Sequence, residues 1–246
     1  KFIKIVLPSH YYCFNMKART IEKARYYKIP DRIVEEPKED IVKNIRSKIE
    51  LAVDNELISD VPVCTILSGG IDSVIITYLL SKKVNNLEAF VVSNGINEKK
   101  KDDLYYARKA AEFMKIPLNE VIIDDEYVMS NLRDTVYAVE DFKWVQVSPA
   151  VAQLPMSKAI HEKGYKVVFG GEGSDEIFGS YGHIFAFKWK DDDYHKARID
   201  LIDKLHEKNL VRTNKAMMYG GTVELRTPFL DKDFVEYGLG IPPQYK

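Results

Sequence analysis

Cysteine is scarce, with only Cys13 and Cys64 in 246 residues. That excludes a disulfide framework and favours a reducing, cytoplasmic setting. No apolar run is long enough to span a bilayer, and no signal-peptide pattern is visible, so no membrane partner is expected. Neither charge sign dominates: the formal net charge is −1, which gives no basic surface for nucleic acid. The run Lys99–Lys101 is followed at once by Asp102 and Asp103 and reads as a solvated loop. There is no internal repeat and no low-complexity tract. A Gly-x-x-x-x-Gly-Lys-Ser/Thr loop is also missing, which excludes the usual γ-phosphate cradle.

Two short segments are present that carry chemistry. The first is Ser68-Gly69-Gly70-Ile71-Asp72-Ser73, and the second is Gly170-Gly171-Glu172-Gly173-Ser174-Asp175-Glu176. Each follows an apolar run that reads as a buried strand, 63–67 for the first and 166–169 for the second. A helical pattern, 74–82, follows the first. A strand, a small-residue turn and a helix N-terminus make an anion site, because free N–H groups and the helix dipole converge there. Carboxylates repel phosphate, so Asp72 and Asp175 make sense there if a divalent cation lies between them and the phosphates. Alone, either aspartate reads equally as a helix-start residue. Glu172 and Glu176 are read as further site carboxylates or as partners of the local backbone or an arginine.

From residue 39 onward strands and helices alternate. The strands are expected at 63–67, 88–92, 119–123 and 166–169, and the helices at 74–82, 103–114, 127–138, 149–163 and 195–207. Ile41, Ile45, Ile49 and Val53 recur at helical spacing before them. The fold class is therefore α/β, a parallel sheet sandwiched by helices, with both segments at strand carboxyl ends, where ligands bind. Residues 2–7 and 11–14 read as strands joined at Pro8-Ser9, a short β-rich N-terminal segment ahead of a Pro30–Pro37 linker. Domain limits of 1–36 and 37–246 follow. Cys64 is expected to be an inert core thiol, and Cys13 to lie in a strand without activation.

Ser68–Ser73 resembles the pyrophosphate loop of the N-type ATP pyrophosphatases. Gly171-Glu172-Gly173-Ser174-Asp175-Glu176-Ile177-Phe178-Gly179 resembles the second signature of one branch, the asparagine synthetases. The stretches Arg212–Met217 and Val223–Asp231 are similar to two further segments of that branch. The resemblance covers about residues 39–246. It implies an adenine nucleotide α-hydrolase-like fold and an ATP-dependent, AMP-forming ligase that makes asparagine through β-aspartyl-AMP. It implies Ser68, Gly69, Gly70, Asp72 and Ser73 at the phosphates, and Asp72 and Asp175 as Mg2+ ligands. Leu67, Val92, Gly171 and Glu172 fall in the implied nucleotide site. Glu140 matches a glutamate that serves the attacking ammonia, and Lys246 a lysine that neutralises developing phosphate charge; both are implied catalytic residues. Read from the chain alone, Glu140 is also an ordinary helix-end charge.

The resemblance further implies a glutaminase domain ahead of this region, whose last strands residues 1–36 resemble, including Pro8-Ser9-His10-Tyr11. Lys1 is not that domain's cysteine nucleophile, and the chain reads as part of a longer protein, with free ammonia as the donor it could use by itself. Homo-oligomer formation is left open. Asp141–Gln146 departs from the family's Thr/Ser-rich stretch, leaving the acceptor acid open. Ring-closing β-lactam and carbapenam synthetases share the acyl-adenylate chemistry but usually carry a tyrosine at the position of Glu140. Lasso-peptide cyclases share it too, while a nucleotide-binding paralogue without turnover conflicts with the intact acids. A tRNA sulfurtransferase on the same loop needs a reactive cysteine and a basic face, and neither is apparent.

Overall fold

The computed structural model describes residues 5–95, 102–181, 191–207 and 209–245, with the main chain alone at 191 and 192. Five strands, β3 (Val63–Ile66), β4 (Ala89–Ser93), β5 (Leu118–Ile122), β6 (Val167–Phe169) and β7 (Glu224–Arg226), form one parallel sheet in the order β5-β4-β3-β6-β7. The chain enters at the central strand, moves outward to β5, then returns to the other side of β3. Strand order thus reverses between β3 and β6, and a crevice opens at the carboxyl ends of such a pair. Both sequence segments lie there.

Successive strand residues point to opposite faces of a sheet. Val63, Val167 and Phe169 join a core with Ile49, Val53, Ile76, Leu80 and Phe234. These come from α1 (Lys38–Glu56), α2 (Ile71–Ser81) and, at the far end of the chain, α9 (Lys232–Gly240). Cys64 and Val168 point the other way, into a core with Phe90, Met156, Ile160 and Met217. That face is covered by α5 (Trp144–Glu162) and α8 (Asn209–Gly221). Of the remaining helices, α3 (Asp103–Met114) packs beside α2 and β4, α4 (Asp125–Val139) against α5 and α8, and the short α6 (Ser174–Phe178) with α7 (Asp191–Asp203) against α9. Asp102 and Asp124 cap α3 and α4 by accepting from Tyr105 and Tyr127 N–H. Cys64 is fully buried and burial pushes its thiol up, as an inert core residue requires. Among the described residues no helix is long and apolar enough to cross a membrane.

Buried hydroxyls lock the crevice strands together. Thr65 Oγ1 lies 3.0 Å from Thr77 Oγ1 and 3.3 Å from Phe169 O, tying β3 to α2 and to β6. A single strand break there would misplace both segments.

The N-terminal hairpin differs from the expectation. The structure pairs β1 (His10–Asn15) antiparallel with β2 (Thr20–Arg25), and residues 5–7 are not a strand. The turn is made at 16–19, where the Asn15 side chain accepts from Lys17 and Ala18 N–H and Arg19 takes a left-handed conformation with φ 52°. Cys13 lies in β1 and is exposed. The expected solvated run at Lys99–Lys101 lies outside the described residues.

One carboxyl beneath the sheet yields a pH prediction. Glu56, at the end of α1, is half-buried and its Oε2 has no hydrogen-bond partner. Burial, reinforced by Asp231, pushes its carboxyl up to about 7 against the pull of Arg226 and the Thr227 N–H. A raised carboxyl pKa adds stability below the ordinary carboxylate value, and this stability is lost as pH rises through about 7. Glu56→Gln is expected to remove roughly 1 kcal/mol of the fall in unfolding free energy between about pH 5 and 8, allowing for partial exposure. Urea titrations of both proteins at the two pH values measure it. Equal falls in both would contradict the assignment.

Candidate functional site

The loop 68–70 leaves β3 and feeds directly into α2. Ser73 Oγ accepts from Ser68 N–H at 3.1 Å, lies 3.0 Å from Ser68 Oγ and donates to Gly70 O at 3.0 Å. The two hydroxyls therefore face one another across a tight turn, with lone pairs and protons that can be re-aimed at a ligand. Gly69, with φ 78°, lies against the first turn of α3. Gly70 caps α2 without any side-chain hydrogen bond, so the helix's first N–H groups have no side-chain acceptor. That is the anion-binding end of an eleven-residue helix.

The second segment comes against the first. A Cβ built on Gly171 would lie 2.9 Å from Ser73 N and 3.0 Å from Asp72 C, so only glycine lets the two main chains approach this closely. Ser174, the first residue of α6, donates from Oγ to Asp72 Oδ1 at 2.7 Å. Asp175 follows, accepting from the Ser180 hydroxyl. Burial pushes the Asp72 carboxyl up, the Ser174 hydrogen bond opposes it and the negative charge of Asp175 pushes it further. Asp72, Ser174, Asp175 and Ser180 share a hollow of about 340 Å³ walled by Ile45, Ile75, Phe229 and Phe234.

Two carboxylates that repel each other at a helix N-terminus make a donor set suited to a hard cation. Among the described residues no trio of His, Cys, Asp or Glu gathers into a closed cage. Mg2+ is commonly held by one or two carboxylates, with phosphate and water oxygens completing the octahedron. The pair fits that pattern.

The other expected residues are spread around this centre. Val92 is half-buried near the carboxyl end of β4. Leu67 is wholly buried among Ala89, Val91 and Leu104, so its side chain offers no surface to a nucleotide. Glu172 is half-buried, with an unpartnered, buried Oε2. Burial pushes its carboxyl up, while its own main chain and Arg212 pull it down. Glu176 is buried and accepts from Tyr181 at 2.6 Å. Lys246 lies outside the described residues.

Glu140 does not join the aspartate pair. It ends α4 in a left-handed conformation, φ 55°, and its carboxylate accepts from Lys215 Nζ at 2.5 Å. That hydrogen bond and the lysine's charge hold the carboxyl below its usual range. It lines a second hollow, about 560 Å³, with Asp141, Gln146, Arg212 and Lys215. Arg212, which lines this second hollow, also feels the charges of Glu172 and Glu176 on the second segment. Arg212 and Lys215 were visible only as part of the 212–217 resemblance. Their spacing of three on α8 places both on one side of a helix, a signal present in the sequence once that helix is recognised.

The family profile for asparagine synthase matches residues 44–201 and 186–246. A probable glutamine-hydrolyzing asparagine synthetase of Schizosaccharomyces pombe is 31% identical over 262 residues, covering 97% of this chain and 45% of that protein. The glutamine-hydrolyzing asparagine synthetase 3 of Arabidopsis thaliana is 30% identical over 208 residues, covering 82% of this chain and 36% of that protein. The chain thus spans less than half the length of these curated relatives. Among solved structures, an NH3-dependent NAD synthetase of Campylobacter jejuni overlaps with a TM-score of 0.42 at 19% identity, covering 68% of this chain and 75% of that one. The profile takes in both signature segments and runs from residue 44 to the last residue, and on that match the chain belongs to the asparagine synthase family.

Proposed function

We propose that this chain is the synthetase part of an ATP-dependent, AMP-forming amide ligase that converts aspartate to asparagine. The observation that carries the reading is the junction of the two segments, where Ser174 hydroxyl meets Asp72 at 2.7 Å beside Asp175. An anion-binding helix end with an acid pair beside it suits a triphosphate that is cleaved at the α-phosphorus, leaving as pyrophosphate.

In this reading Ser68, Ser73 and the first N–H groups of α2 hold the departing pyrophosphate, and Asp72 and Asp175 hold Mg2+. Bound there, the ion screens the triphosphate's charge. The side-chain carboxylate of aspartate attacks the α-phosphorus, the bond to the pyrophosphate oxygen breaks, and β-aspartyl-AMP forms. Ammonia then attacks the acyl carbon, AMP leaves, and the nitrogen loses a proton. Lys246 would neutralise phosphate charge. A carboxylate held low by Lys215 is a weak proton acceptor, so Glu140 acts by stabilising the positive nitrogen of the tetrahedral intermediate.

Residues 1–36 are read as the end of a glutaminase-like unit that would supply ammonia from glutamine. The exposed apolar side chains Tyr11, Phe14 and Ile21 on the hairpin support an adjoining surface.

The test is exchange of labelled pyrophosphate into ATP, expected only with aspartate present. Exchange without aspartate dependence, or none with any amino acid, would sink the reading. Glu140→Gln is expected to leave exchange within about threefold while lowering asparagine formation by roughly a hundredfold or more. Equal loss of both activities would place Glu140 in adenylation instead.

A further inference from the structure

The second signature is held from behind by a buried cation. Arg198, on α7, is wholly buried, and among the described residues no carboxylate forms an ion pair with it. A guanidinium in such a place requires other partners. Its Nη1 donates to Ile177 O at 2.9 Å, Nη2 lies 3.3 Å from His195 Nδ1, and the group stacks 4.9 Å above the Tyr194 ring. Tyr194 itself donates to Phe178 O at 2.8 Å. The last two carbonyls of α6 are therefore both held by α7. Gly179 follows with φ 69°, where a Cβ would lie 2.2 Å from the Tyr194 hydroxyl. A five-residue helix has little hold of its own, and this one carries Ser174 and Asp175 at its start.

The hold extends to the linker. Arginine only donates, so His195 Nδ1 must offer its lone pair and the ring proton lies on Nε2. Asp31 Oδ1 lies 3.0 Å from that nitrogen, off the line of a hydrogen bond but close enough for charge to act. Asp31 is thus the carboxylate beside the imidazole that the buried cation contacts. The stretch leading into the linker is seated by Arg25 on Asp203 at 3.0 Å, by Tyr27 on Glu236 at 3.0 Å and by Ile29 in the core.

We infer that Arg198 is a positioning residue for the acid pair, and that Asp31 and His195 couple its placement to the seating of the Pro30–Pro37 linker. The inference rests on the reading of the Asp72–Asp175 hollow as the adenylation site.

Asp31 is the useful probe, because its side chain is 62% exposed and its removal opens no core. Amide exchange at Ile177 and Gly179, whose N–H groups donate to Gly173 O and Asp175 O, reports on α6 without any activity. Asp31→Ala is expected to speed exchange at both amides about threefold or more, with β6 unchanged. It should also raise the Mg2+ concentration for half-maximal pyrophosphate exchange about threefold with little change in kcat. His195→Gln keeps an acceptor for Arg198 and an N–H group beside Asp31, and should match wild type in both readouts. Unchanged amides at 177 and 179 in Asp31→Ala, or equal acceleration through β6, would overturn the inference. If the unaltered protein shows no pyrophosphate exchange, the functional reading fails and the amide arm alone decides this one.

Discussion

Asp72→Asn is expected to abolish pyrophosphate exchange, by roughly a thousandfold or more, and at the same time to raise the protein's melting temperature without ligand. The two effects have one cause. Burial and the charge of Asp175 push the Asp72 carboxyl up, so its ionised form is disfavoured in the folded state. A raised carboxyl pKa means stability that is present at acid pH and lost as pH rises through the folded-state value. At neutral pH the ionised acid therefore costs folding energy, and a neutral amide of the same shape removes that cost. The Ser174 hydroxyl still finds an acceptor in the amide oxygen. Adding Mg2+ and ATP should raise the melting temperature of the unaltered protein and have a much smaller effect on Asp72→Asn, because only the former gains a charge partner. Thermal unfolding with and without MgATP measures both signs. A variant less stable than the parent, with the same ligand shift, would mean that Asp72 is a structural cap.

Gly171→Ala is expected to cost activity far more than stability. The new methyl would lie 2.9 Å from Ser73 N and 3.0 Å from Asp72 C, and both are main-chain atoms that cannot swing aside. The two segments must separate by several tenths of an ångström. That overpacking costs about 1–3 kcal/mol of stability. The catalytic consequence is larger, because the Ser174–Asp72 contact and the phosphate-facing N–H groups shift together; small misplacements of this kind cost on the order of a hundredfold in rate. Exchange assays beside urea unfolding separate the two. Activity retained within a few-fold would mean that the close approach of the loops is incidental to catalysis.

Where chemistry and pattern coincide, the sequence was readable. Helix 103–114 has the bounds expected from its apolar period, and both segments lie at the strand ends that the alternation of elements required. Helix α2 starts at Ile71, three residues earlier than the apolar run suggests, because the Ser68–Gly70 turn leads straight into its N-terminus. Helix α5 begins at Trp144 and not at Pro149: proline normally marks a helix start, and here two prolines lie inside. Strand β7 went unread because Glu-Leu-Arg at 224–226 has no apolar run, and among the described residues it pairs along β6 alone. Helix α8 went unread because the face it buries, Thr213, Ala216, Met217 and Gly221, carries a single large apolar side chain. The pairing of the hairpin depends on an Asn15 turn, while the expected Pro8-Ser9 turn lies just before β1 and joins no strand among the described residues to it. The unpartnered Arg212 Nε and Arg198 Nε arise from burial, which no linear spacing reveals.

The most direct measurement follows oxygen. Aspartate labelled with 18O in its side-chain carboxylate is turned over with ATP, Mg2+ and ammonium, and the nucleotide and phosphate products are read by 31P NMR. Attack on the α-phosphorus leaves one labelled oxygen in AMP and none in pyrophosphate. Label in inorganic phosphate with ADP as the product, or AMP without label, would contradict the account.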